Sequence, residues 1–249
     1  MRENFPLLTD RPENPAIIGG VLSSLLLYFS LPFILVLATA GAPNNWGLLT
    51  TLETIYHAIG FCVGGGLFFG WLKNSGFNFR IMPKKTLKIC FQGLCYILAY
   101  YMIVHIIATV TQDEFALLAL NHTLPVTDTE SHMTMPILLM KNTPLGLLCA
   151  VVLMPLTVSC LFYSVAFAPV CYRHPWLGYV MVSVYILVLR MFVAVTYWSF
   201  ELELDLYLCQ LPAHLIACWT YQKSDTVWAP VITLSAVNAV SCILLLLQL

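Results

Sequence analysis

Apolar residues fall in long unbroken runs along this chain, separated by short polar stretches. A helix needs about 20 apolar residues to cross the hydrocarbon core of a bilayer. Runs of about that length lie near 16–40, 52–72, 87–111, 144–171, 177–199, 204–221 and 227–248. Backbone polar groups cannot go unpaired in lipid, so each run is read as a helix rather than an open strand. The expected fold is therefore all-α: a polytopic bundle of about seven spans. The pattern divides into a polar segment (1–15), three spans (16–111), one long connection (112–143) and four further spans (144–249). Phe115–Leu120 is apolar enough for a short interfacial helix inside the long connection.

Charge orients the bundle, because cytoplasmic loops carry the excess of Lys and Arg. Arg2, Arg11, Lys73, Arg80, Lys84, Lys85, Lys88, Arg173 and Lys223 fall on one side of a seven-span arrangement. Lys141 falls on the other, and Arg190 lies within span 5. The expected N-terminus is cytoplasmic and the C-terminus outside. Asp113, Glu114, Asp128, Glu130, Glu201, Glu203 and Asp205 are then external. The first apolar run exceeds the roughly 7–15 residues of a signal-peptide core, and more spans follow, so it reads as a retained anchor.

Composition agrees with this pattern. Hydrophobic residues make up 60% of the 249 and charged residues only 9%. A soluble domain carries about 25% charged residues, so the bilayer is the expected solvent and first partner. A net charge of −1 gives no basic surface for nucleic acid. The nine cysteines show no Cys-x-x-Cys spacing and sit mostly in apolar runs, where Cys behaves as a small hydrophobe. No cofactor is called for. Span 2 carries Gly60, Gly64, Gly66 and Gly70, which allow close approach of another helix.

The second half resembles the CAAX protease and bacteriocin-processing family of intramembrane endopeptidases. One stretch runs from Val151 through Pro155 and Phe162 to Ser164; its proline and phenylalanine match the family's first motif. Another runs from Gln210-Leu-Pro-Ala through Tyr221, Trp228 and Pro230 to Asn238, without gaps in spacing from Pro212. The resemblance covers roughly residues 87–245 and implies that the catalytic groups would come from spans 4, 5 and 7. The chain departs from the family at those groups. Val158 and Ser159 stand at the two glutamate positions and Tyr163 at the arginine position. Span 5 has no histidine, with Thr196 at one candidate position; Leu234 replaces the last motif's histidine, and Asn238 alone is retained. A valine or leucine cannot act as general base, and a serine without a base is not an activated nucleophile.

Other polar residues in apolar runs are candidates in their own right. Arg190 lies mid-span, where a charge costs about 2.5–3.5 kcal/mol on insertion scales. It is expected to meet a polar partner among Ser159, Tyr163, Thr196, His214, Ser235 and Asn238, as a structural anchor or as a seat for an anionic group. Glu53 and His57 are four apart on one face of span 2, a weak metal or proton site lacking a third ligand. Glu201, Glu203 and Asp205 open span 6, where acids suit a helix N-terminus and are expected to be solvated. The Arg80–Lys88 cluster should contact anionic lipid. Asn121-His-Thr123 is a glycosylation sequon.

The leading expectation is a non-catalytic member of the resembled family. It would sit in the cell membrane as a scaffold or regulator of a protein, peptide or lipid partner. The alternatives are an active endopeptidase with rearranged residues, such as Glu201 or the Glu53–His57 pair, and a small transporter or channel.

Overall fold

The computed structural model describes residues 22, 46–67, 84–114, 116–117, 144–197, 200–224 and 226–247. The first apolar run, apart from Leu22, and most of the 112–143 connection lie outside the described residues, as do Lys73, Arg80 and the sequon. Regular structure among the described residues is entirely helical. Helix α1 is Trp46–Leu67 and α2 is Lys84–Thr111. A continuous helical rod, α3, covers 144–173. Then come α4 (Pro175–Tyr197), α5 (Phe200–Ser224) and α6 (Trp228–Leu247). Among the described residues, one helix, Lys84–Thr111, is long and apolar enough to cross a membrane by length and composition; shorter apolar stretches are Pro144–Val158, Pro175–Val188 and Trp228–Leu244.

Local chemistry sets the helix ends. Gln112 takes a left-handed φ of 56°. The Asp113 N–H then bonds back to Ala108 O at 3.0 Å, the six-to-one bond of a Schellman stop. Asp113 Oδ1 accepts from Ala116 N–H at 3.1 Å, an N-cap that starts a new helical turn. The residue before a proline is driven out of helical geometry. His174, before Pro175, is accordingly extended at φ −141°, ψ 93°, and separates α3 from α4. Pro175 then opens α4, where a missing N–H costs nothing.

Helix α3 is not a plain α-helix. Turns Pro144–Leu148, Met154–Val158 and Ala168–Arg173 alternate with π-helical stretches Cys149–Leu153 and Ser159–Phe167. Each π stretch ends two residues before a proline, Pro155 or Pro169. An interior proline removes an i→i−4 bond and collides with the i−4 carbonyl. Opening the ladder to i→i+5 relieves that collision.

Helix α5 packs against α2, α4 and α6, and α3 against α1, α4 and α6. The main core lies where α3, α4, α5 and α6 meet, around Phe162, Tyr163, Phe167, Val182, Tyr185, Cys218 and Tyr221. A second cluster joins α2, α5 and α6 at Ile97, Tyr101, Ala213 and Val237. Gly93 makes the second seam possible, because a Cβ there would meet Thr220 Cγ2 at 2.6 Å.

Candidate functional site

The prolines of α3 and α5 fix where polar groups are needed. Met154 N–H bonds Cys149 O, five residues back. Pro155 has no N–H, so neither residue supplies a helical donor to Ala150 O. Asn238 on α6 supplies one, with Nδ2 donating to Ala150 O at 2.6 Å. The same device appears in α5. Pro212 cannot donate to Leu208 O four residues earlier, and the Tyr100 hydroxyl of α2 donates to it at 2.9 Å. Asn238, which the resemblance retains from the last motif, therefore mends a helix.

The other motif positions gather in the main core. Ser159 and Tyr163 are fully enclosed at 0% exposure. Val158 and Leu234, from α3 and α6, pack against the cluster that contains Tyr163. Thr196 lies in the last turn of α4. Residues that the resemblance drew from different spans are thus brought together at Val158, Tyr163 and Leu234, in a packed apolar interior. An open apolar groove of about 510 Å³ lies elsewhere, between 144–152 of α3 and 239–243 of α6.

Arg190 departs from its expected partners. Its Nη1 donates to Glu203 Oε2 at 3.2 Å, and Nη2 donates to Gln210 Oε1. Both partners belong to α5, so the anchor ties α4 to α5 rather than to α3 and α6. Glu203 also departs from its expected solvation, with only 7% of its side chain exposed beside the guanidinium. Glu201 is exposed, as a solvated acid should be.

His214 meets Tyr163 instead of Arg190. The tyrosine hydroxyl lies 2.5 Å from Nδ1. Glu203, Gln210 and His214 share one face of α5, at spacings of seven and four residues. That stripe was legible in the sequence as the only face of span 6 carrying an acid, an amide and a histidine in register. Glu203 and His214 are nonetheless eleven residues apart, about 16 Å along the axis. A general base must reach its proton within roughly 3 Å, so these two cannot work on one water.

His57 is buried on α1 at 1% exposure. Its backbone carbonyl and Leu153 O share the Thr157 hydroxyl proton, at 3.1 and 2.8 Å. This contact joins α1 to the α-helical turn between the two π stretches. Neither imidazole nitrogen has a hydrogen-bond partner among the described residues. Glu53 stands one turn earlier on the same helix. Among the described residues, no group of three or more His, Cys, Asp or Glu side chains could hold a metal ion.

No protein-family model matches the chain, and no curated protein or solved structure is significantly similar to it.

Proposed function

We propose that the chain is a multi-pass membrane protein of about seven helices, with a cytoplasmic N-terminus. It resembles the CAAX protease-like family and acts without catalysis, as a scaffold or regulator for a protein or lipid partner. The observation that carries this reading is the fate of the motif positions. Val158, Tyr163 and Leu234 converge from α3 and α6 in an apolar core, while the buried carboxylate Glu203 is committed to Arg190.

The membrane part draws on two further observations. Carbonyls freed by Pro155 and Pro212 are capped by side chains of neighbouring helices, which is how lipid-embedded helices tolerate proline. The outward faces are apolar: Leu87, Phe91, Met102, Ile106 and Val110 of α2 are exposed, as are Trp176, Val184 and Val195 of α4. In water such patches drive association, whereas in a bilayer they are solvated.

The test is a cleavage assay on the purified protein with prenylated and leader-peptide substrates. Expected is no cleavage, unchanged in Ser159→Ala and Glu203→Gln. Cleavage abolished by a single carboxylate or histidine substitution would overturn the non-catalytic reading.

A second reading, a small transporter or channel, draws on the irregular, π-widened ladder of helix α3 and the buried Arg190–Glu203 pair. Interrupted helices and intramembrane charge are what alternating-access machines need. Ion or solute flux into liposomes that Glu203→Gln removes would favour it.

A further inference from the structure

The stretch Ser159–Phe167 holds nine consecutive residues in π geometry. Such geometry normally survives only as a single turn, often at functional sites, because its hydrogen bonding and packing are poorer than those of an α-helix. Something must hold it open for its full length. Tyr163, at its centre, does so through both backbone and side chain. Its carbonyl accepts the Ala168 N–H, five residues on. Its hydroxyl bonds His214 Nδ1 of α5 at 2.5 Å. Pro169 completes the arrangement, since a regular ladder through 159–169 would press its ring on the carbonyl four residues earlier.

We propose that α3 is a two-state element: the Tyr163–His214 bond latches 159–167 in the π register, and its release lets the stretch rewind to α. Each residue that passes from π to α winding turns the downstream piece further and lengthens the rod, so nine together rotate it by more than a quarter turn. The downstream piece is Ala168–Arg173, which lies against α4. The contact is tight. A Cβ at Gly178 would meet Cys171 Cβ at 2.9 Å, Cys171 Cα at 3.1 Å and Phe167 Cε2 at 3.0 Å. Rewinding takes Cys171 out of this seam and brings a neighbouring side chain round in its place. Helix register shifts of this kind run on the μs–ms scale. A partner that touched only one register would shift the balance by its difference in affinity for the two. The inference rests on the geometry of α3 and not on the scaffold reading, since it requires only that the chain fold as described.

Cys171 is the natural reporter. It is 1% exposed in the latched form and lies three residues from the exposed His174, at the end of α3. Cys160, at the upstream edge of the π stretch, is 0% exposed, and Cys90 of α2, which bonds Ala229 O, is 4% exposed; neither belongs to the 168–173 segment. The experiment is labelling of the full-length protein in phosphatidylcholine vesicles with N-ethylmaleimide. Each cysteine is read by mass spectrometry against the unfolded protein. Tyr163→Phe keeps the ring and removes only the hydroxyl. It is expected to raise Cys171 labelling roughly fivefold, the population shift given by one lost hydrogen bond, with Cys160 and Cys90 still protected. Pro169→Ala touches no latch atom but removes the collision that disfavours α, and should move Cys171 in the same direction. Unchanged Cys171 labelling in either variant overturns the switch. A rise shared by Cys160 and Cys90 also overturns it, because it marks loss of packing rather than a change of register.

Discussion

At the residue scale, the side chains that matter most are those completing what a proline left open. Asn238→Leu keeps the volume but leaves Ala150 O without its donor in an apolar setting. A buried unsatisfied group costs about 1–3 kcal/mol, so a thermal unfolding midpoint in detergent is expected to fall for this variant. The cause can be isolated. Pro155→Ala returns an N–H within reach of the same stretch of carbonyls, so the cost of Asn238→Leu should shrink in that background. Additive costs in the double variant would detach Asn238 from the proline. Gly93 gives a second expectation. Its Cβ position is occupied by Thr220 Cγ2 at 2.6 Å and Thr233 Cγ2 at 3.2 Å. Gly93→Ala therefore overpacks the α2–α5–α6 seam and should cost about 1–3 kcal/mol. Pairing it with Thr220→Ser, which removes the offending methyl, should restore most of that loss in the same unfolding measurement.

At the scale of elements, α4 and α5 are tied by the Arg190–Glu203–Gln210 cluster and α3 to α5 by Tyr163–His214. Removing one member of a buried ion pair strands the other charge, at a cost of about 3–5 kcal/mol. Arg190→Met is expected to destabilise the protein by about that much, and Arg190→Met with Glu203→Gln by much less. A double variant as unstable as the single one would mean that Glu203 is solvated after all. The helices themselves were legible in the sequence: the runs near 177–199 and 227–248 appear as Pro175–Tyr197 and Trp228–Leu247. An apolar run of that length has few alternatives. The π stretches were not legible, because proline reports where an α ladder fails but not how the failure is accommodated. The partner of Arg190 was missed for a related reason. The acids at 201–205 were placed by their position near a helix start, which suggests solvent. Which of them turns inward depends on the crossing of α4 and α5. Only Glu203 lies on the same face as Gln210 and His214, and that spacing was available as a signal.

At the scale of the whole molecule, the sequence names motif positions without naming a chemistry for them. The motif alignment named Val158, Tyr163 and Leu234, which do share one core. Whether that core is an emptied active site turns on a topology that the charges predict and that labelling can check. The decisive charges are Arg2 and Arg11. If the six apolar runs from residue 52 onward all cross, they sort the Lys84–Lys88 cluster, Arg173 and Lys223 to one side whether or not the first apolar run crosses the bilayer. Only if it crosses do Arg2 and Arg11 join them, as the positive-inside rule demands. A Glu114→Cys variant, next to the stop of α2, should react with an impermeant maleimide on intact cells, while Lys223→Cys should react only after permeabilisation. An epitope placed before Arg2 should then be reached by antibody only after permeabilisation as well. If the epitope is reached on intact cells while Lys223→Cys stays protected, the first run does not cross and the bundle has six spans. If Glu114→Cys is protected and Lys223→Cys reactive, the whole arrangement is inverted, and the basic residues are held outside by something stronger than the insertion bias.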